Sequence, residues 1–331
     1  MTSPSVRILH ASDLHIAKQA NITSPVDRFR PGTIRDAIWH ATMASSFDPA
    51  ILMSFADSVR KKAASGSIDA VILTGDLATT GSAADIHEAY EFLHAPSDPR
   101  NPIENANAKA KATLSKVNVP VWIIPGNHDH FGAGYLPDRN EFARTFITEW
   151  AGPVKSFPTL KKSGLAVTII GADLSLNSWK ASRWRRFGWF GQGRADEKIL
   201  DELEKQTKLV PQVPGGCIIW AVHFPPIPKI SRSLELLDRD LLVSRANKCG
   251  VKAILAGHTH EPRDHKDPGM NFTVYCGGTV SQAFSPKGHH FRIIEAYLDE
   301  YGVVKINVED YLLSGYARGR ITGPPGFHKV F

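Results

Sequence analysis

Continuous apolar runs recur along this chain, and each is stopped short by a glycine, a carboxylate or a histidine. The runs cover residues 6–11, 69–74, 119–124, 217–222 and 251–256. Apolar stretches of this length predict strands buried on both faces, the habit of parallel sheets. Between them, apolar residues return at helical spacing. Ile51, Leu52, Phe55 and Val59 follow Asp48-Pro49, an N-cap residue with proline in the first turn. Arg60, Lys61 and Lys62 suit the negative end of that helix dipole, and Gly66 can close it. The pattern also predicts helices over 34–43, 84–93, 105–116, 139–150, 195–208 and 234–248. Further strands are expected over 165–171, 272–276, 290–298 and 303–308. Strand–helix alternation followed by late hairpin-like strands predicts an α/β fold of two packed sheets with helices outside. Segments 16–48, 130–160 and 173–194 read as excursions around a rim. Residues 1–312 read as one domain, and 313–331, holding Gly, Pro and Arg, as a C-terminal extended arm.

Composition narrows the partners more than the chemistry. With 331 residues, 42% of them apolar, the chain can bury a substantial core. No run of about 18 apolar residues occurs, so no membrane span is expected. The net charge of +6 favours anionic partners. Lys and Arg are scattered, so nucleic acid is not an expected partner. Cys217, Cys249 and Cys276 are far apart and form no Cys-x-x-Cys pair, which predicts reduced thiols and no thiolate zinc site. The first strand starts too early for a signal peptide to precede it, so a cytoplasmic location is expected.

The residues that close the apolar runs change the picture. They are Asp13-Leu14-His15, Gly75-Asp76, Gly126-Asn127-His128-Asp129, His223, and Gly257-His258-Thr259-His260. One Asp-x-His or one His-x-His carries little weight, and His223 alone would read as a core histidine. Five strand ends in one order, each with a metal-type residue, point to one site on one edge of the core. Two divalent ions about 3.5–4 Å apart need a bridging carboxylate, and Asp76 is the natural choice. Asp13, His15 and His260 would complete one ion's donors; Asn127, His223 and His258 would complete the other's. His258 and His260 would share a face in an extended segment, so splitting them needs a loop-like backbone, which Gly257 permits. Imidazole, carboxylate and amide donors without thiolate suit Mn or Fe, with Zn possible. The expected chemistry is attack of a metal-bridging hydroxide on phosphorus. His128 is the candidate proton donor to the leaving oxygen, with Asp129 orienting its ring.

Residues 179–190 hold five aromatics and four cations in twelve positions. Arg183, Trp184, Arg185 and Arg186 are therefore candidate substrate contacts, stacking a base and neutralising phosphate. The competing reading is aromatic packing or a subunit interface, which leaves a homo-oligomer open. His10 and His130, near the frames, are candidates for the rim.

Taken together, the frames resemble the calcineurin-like metallophosphoesterase superfamily over residues 6–262: D-x-H, G-D, G-N-H-D, a lone His, and G-H-x-H. The stretches SDLHI, GDLATTG, PGNHD, HFPP and GHTH are most similar to class III cyclic-nucleotide and glycerophosphodiester phosphodiesterases. The resemblance implies a four-layer α-β-β-α sandwich of two mixed sheets, a dinuclear Mn/Fe-type centre and the ligand roles given above. Leu77-Ala78-Thr79 after Asp76 lacks the tyrosine of purple acid phosphatases and the Asp-Arg-Gly of protein Ser/Thr phosphatases. The expectation is hydrolysis of a small soluble phosphodiester. The alternatives are a phosphomonoesterase, a nucleotide-sugar or lipid pyrophosphatase, a nuclease, or a non-catalytic scaffold.

Overall fold

Each of the five apolar runs is a strand in the protein's structure, a computed structural model describing residues 4–17, 48–79, 81–94, 113–130, 139–175, 192–228, 234–281, 288–317 and 320–330. In chain order the strands are β1 (Ser5–Ala11), β2 (Ala70–Thr74), β3 (Val121–Ile124), β4 (Val154–Ser156), β5 (Leu160–Lys162), β6 (Leu165–Ala172), β7 (Gly193–Arg194), β8 (Gly216–Val222), β9 (Leu236–Leu237), β10 (Ala253–Ala256), β11 (Arg263–His265), β12 (Thr273–Cys276), β13 (His290–Leu298), β14 (Val304–Ala317) and β15 (Arg320–Val330). The helices are α1 (Pro49–Ala64), α2 (Ala83–His94), α3 (Arg139–Thr145), α4 (Glu197–Leu209) and α5 (Arg239–Lys248).

Two mixed sheets carry the fold. The first has the order β15-β14-β13-β1-β2-β3, with β1, β2 and β3 parallel. The second runs β11-β12-β10-β8-β6-β4, with β6, β8, β10 and β12 parallel and β5 also on β6. Side-chain alternation divides the second sheet's apolar residues between two cores. Cys217, Ile219 and Ala221 of β8 join Ile8, Ile72 and Ile294 between the sheets. Ile218, Trp220 and Val222 face Ile199, Leu203 and Leu242 of α4 and α5. On the far side, α1 covers the first sheet, with Phe55 edge-on to Phe291 and Phe327. This is the four-layer arrangement the sequence led us to expect.

Local signals behave as read for α1. Asp48 accepts a hydrogen bond from Ala50 N–H, Pro49 occupies the first turn, Lys61 and Lys62 sit in the last, and Gly66 follows at a positive φ of 67°. Elsewhere the structure departs from expectation. The tail over 313–331 is no arm. Its residues up to Ala317 continue β14, Arg320–Val330 pair antiparallel with that strand, and Phe327 packs against Phe291. Segment 130–160 is no simple excursion: it supplies α3 and β4, and Phe142, Phe146, Trp150 and Phe157 are buried. Part of the helix expected over 234–248 is strand, because Leu236 and Leu237 pair with β7 and left-handed Asp238 separates them from α5. Of the helix expected over 105–116, residues 113–116 form a turn, and 105–112 lie outside the described residues, as does 34–43.

Candidate metal centre

The parallel ladder of the first sheet continues past its strands into the loops that follow. Asp13 N–H donates to the Gly75 carbonyl at 3.0 Å, His15 N–H to Asp76 at 2.9 Å, and Ile16 N–H to Leu77 at 2.8 Å. These bonds hold Asp13, His15 and Asp76 left-handed, at φ 55°, 48° and 51°. Unbranched residues accept that conformation only at some cost in strain. The strain turns both carboxylates off the sheet edge toward each other. Close approach explains two glycines here. A Cβ at Gly75 would overlap the His223 ring, and one at Gly126 would overlap the Asp76 carboxylate.

The second sheet brings three imidazoles to the same seam. His223 closes β8, and its Nδ1–H donates to the Thr74 carbonyl at 2.8 Å. That bond directs Nε2 inward, 3.1 Å from Asp76 Oδ2 and 3.1 Å from Asn127 Oδ1. His258 and His260 are both left-handed, at φ 68° and 55°, so they leave β10 in different directions. Gly257, expected to supply the loop geometry, does something else: a Cβ there would overlap Ser12 Oγ. His258 N–H donates to Asp13 Oδ2 at 3.0 Å, which ties the two sheets together at the site.

The seven candidate ligands fall into two groups. Donor atoms of Asp13, His15, Asp76 and His260 lie within 4.8 Å of one another, as do those of Asp76, His223 and His258. Asp76 belongs to both, and Asn127 joins the second through its contact with His223. The donor set fits cations on structural grounds. With Nδ1 donating, His223 Nε2 presents a lone pair to two oxygen acceptors, an arrangement that only a proton or a metal ion reconciles. His15 Nε2 and His260 Nε2 likewise face each other at 3.3 Å. His258 Nε2 is buried with no hydrogen-bond partner among the described residues. Burial and the neighbouring imidazoles depress His15 and His258 to about 3, leaving neutral ligand nitrogens. Burial opposes the charge of His223, but the Asp76 charge and hydrogen bond win and raise it to about 9. Burial also works against the Asp13 and Asp76 charges, yet the surrounding histidines hold both carboxyls below their ordinary range.

Residues 6–262 match the family described as Calcineurin-like phosphoesterase. The chain belongs to that family. The resemblance read from the strand-end frames is borne out, and the family implies divalent metal ions. A cAMP/cGMP dual specificity phosphodiesterase of Mycobacterium tuberculosis is 28% identical over 195 residues, 58% of this chain and 48% of that protein. A probable cyclic nucleotide phosphodiesterase of Rhodococcus erythropolis is 26% identical over 262 residues, 78% of this chain and 65% of that protein. The chain thus spans less than two thirds of the length of either. Among solved structures, GAP50, the anchor in the inner membrane complex of Plasmodium, matches with a TM-score of 0.52 at 12% identity. That match covers 99% of this chain and 89% of the other, and it bears on the fold alone.

In this calcineurin-like phosphoesterase, His128 stands beside the ligands. Its ring meets His15 edge-on at 4.8 Å, and its Nε2 lies 4.0 Å from Asp76 Oδ2. Its orienting partner is not Asp129. His128 Nδ1–H donates to the Thr79 carbonyl at 2.6 Å. Asp129, fully buried, accepts from Ala78 N–H and Gly126 N–H at 2.8 Å each. It clamps the loop after Asp76 to the loop carrying Asn127, and burial with the Asp76 charge pushes its carboxyl up to about 7. Thr79 went unread in the sequence because a backbone carbonyl has no residue signature. Asp173 was within reach: β6 also ends in a carboxylate, which accepts from His130 at 2.7 Å. His10 sits inside the core on Thr74 Oγ1 at 2.8 Å, away from the rim. Arg183, Trp184, Arg185 and Arg186 lie outside the described residues. Among the described residues no helix is long and apolar enough to cross a membrane.

Proposed function

We propose that the protein hydrolyses small phosphodiesters, cyclic nucleotides or glycerophosphodiesters, at a dinuclear centre loaded with Mn or Fe-type ions. The observation that carries this reading is the pair of donor groups sharing one carboxylate, Asp76. The names of the two curated relatives support a diester substrate. When bound, two divalent ions supply an activated water and neutralise phosphoryl oxygens.

The chain's own residues do the rest. Asp76 spans both groups, with His128 N–H donating to its Oδ1 at 2.9 Å. The Thr74 carbonyl fixes His223 in the tautomer whose Nε2 is free to ligate. The Thr79 carbonyl holds His128 Nδ1–H so that Nε2 faces the centre, where the imidazolium form gives its Nε2 proton to the departing alkoxide and is left as the neutral ring. Asp129 acts indirectly, by keeping the two loops in register. His260 is the most open ligand, its side chain 26% exposed, and marks the side from which substrate enters.

The test is a panel of aryl phosphodiester, cyclic nucleotides, glycerophosphodiesters and aryl phosphomonoester, run on metal-loaded protein with elemental analysis. Diester turnover above monoester turnover is expected. For Asn127→Ala, a fall of about 100-fold in diester turnover is expected, since a ligand amide is lost. Faster monoester hydrolysis, or an Asn127→Ala variant near wild-type rate with both ions present, would overturn the reading.

A further inference from the structure

A cavity of about 600 Å³ opens at the end of the second sheet farthest from the metal centre. It is lined by the starts of the strands: Ala166 and Thr168 of β6, Gly216 to Ile218 of β8, and Lys252 just before β10. The strand β8 runs seven residues from this cavity to His223, a separation of about 20 Å. A ligand here would not touch the residues of the metal centre.

The lining has an uneven chemistry. Lys161 and Lys252 stand on it, and no carboxylate lines it among the described residues. Both lysines are exposed, and neither has an ion pair or side-chain hydrogen bond among the described residues, whereas the neighbouring Lys162 pairs with Asp69 at 2.6 Å. β5, β6, β8 and β10 are successive neighbours, so three strand spacings, about 14 Å, separate the two lysine backbones. Two side chains of that length can close on one small molecule. The remaining wall is apolar or weakly polar. Val213, 46% exposed, forms the lip, and Cys249 stands on the floor. Burial raises the Cys249 thiol, so the floor is uncharged. Thr159 and Thr168 bond each other through their hydroxyls at 2.8 Å and leave an acceptor edge beside the lysines.

We infer that this cavity is a binding site for a small amphipathic anion, with an apolar body against Val213 and Cys249 and its acidic group between Lys161 and Lys252. Its volume suits a ligand of that class. The charge pattern favours an anion, because two ammonium groups stand on one cavity with no carboxylate in its lining among the described residues.

Anilinonaphthalene sulfonate is a suitable probe for titrating the metal-loaded protein. Saturable binding at one dye per chain is expected, along with slower alkylation of Cys249 by iodoacetamide, mapped by mass spectrometry, as the site fills. Lys161→Glu/Lys252→Glu should weaken dye binding at least about 10-fold, the scale of a lost charge-assisted hydrogen bond. A Lys116→Glu/Lys266→Glu control of the same charge change should not. Affinity within twofold of wild type in the first variant, or Cys249 alkylation indifferent to the dye, would overturn the inference. The protection measurement needs only wild-type protein, so it stands even if the double variant misfolds.

Discussion

The two sheets meet at the candidate metal centre with different chemistry. The first supplies Asp13, His15, Asp76 and Asn127, and with them every formal negative charge and the amide. The second supplies His223, His258 and His260, imidazoles alone. The first half is also the more heavily tied, since its loops carry on the parallel ladder beyond the strands. The second reaches across through a few bonds, His258 N–H to Asp13 and His223 Nδ1–H to Thr74. Neither sheet alone completes either donor group. The carboxylates and the tighter backbone ties sit on one side, and the imidazoles, including the exposed His260, on the other. Any bound cation would therefore bridge the seam.

Removing the one residue common to both groups should have the largest effect. Asp76→Ala is expected to lose both ions by elemental analysis and at least about 1,000-fold in diester turnover, because Lewis-acid stabilisation worth several kcal/mol goes with them. Retention of both ions in that variant would break the picture of a shared carboxylate. A smaller effect should follow from cutting one side only. His258→Ala, on the imidazole side, should retain about one ion per chain through Asp13, His15, Asp76 and His260, with turnover down about 100-fold. Two ions per chain in His258→Ala would show that His258 is not needed to hold the second ion.

The smallest effect lies behind the second sheet, in its helical layer. Glu204 accepts from Lys208 and Lys248 at 2.7 and 2.8 Å and from Arg245, and these bonds hold its carboxyl down at about 2, below the ordinary 4.5. A depressed folded-state value means the stabilisation is complete above pH 4.5 and is lost as pH falls toward 2. Melting temperatures of Glu204→Gln and wild type should therefore differ above pH 4.5 and converge below it. A constant difference across that window would place the acid sensitivity at the seam instead.

Much of this was legible in the chain because the signals were local. A buried strand, a glycine allowing close approach and a ligand-type residue stand side by side at Thr74-Gly75-Asp76, and a single sequence displays them. The left-handed histidines were not legible, since nothing in Gly-His-Thr-His announces that His258 and His260, rather than the glycine, take positive φ. Their conformation is held by contacts from residues far away in sequence. Asp129 was misread for the same reason: its neighbour in sequence is His128, but its partners are Ala78 and Gly126. The last strand was hidden by its own composition, because Gly323-Pro324-Pro325-Gly326 reads as a turn until β14 lies beside it.

Those prolines have a further consequence. β15 is the outer strand of the first sheet, and Pro324 and Pro325 have no N–H to offer. In an extended strand, one of two adjacent residues points its backbone outward. A strand from another molecule laid along this border would find its ladder interrupted midway. The border is blunted against edge-to-edge aggregation where the two prolines stand.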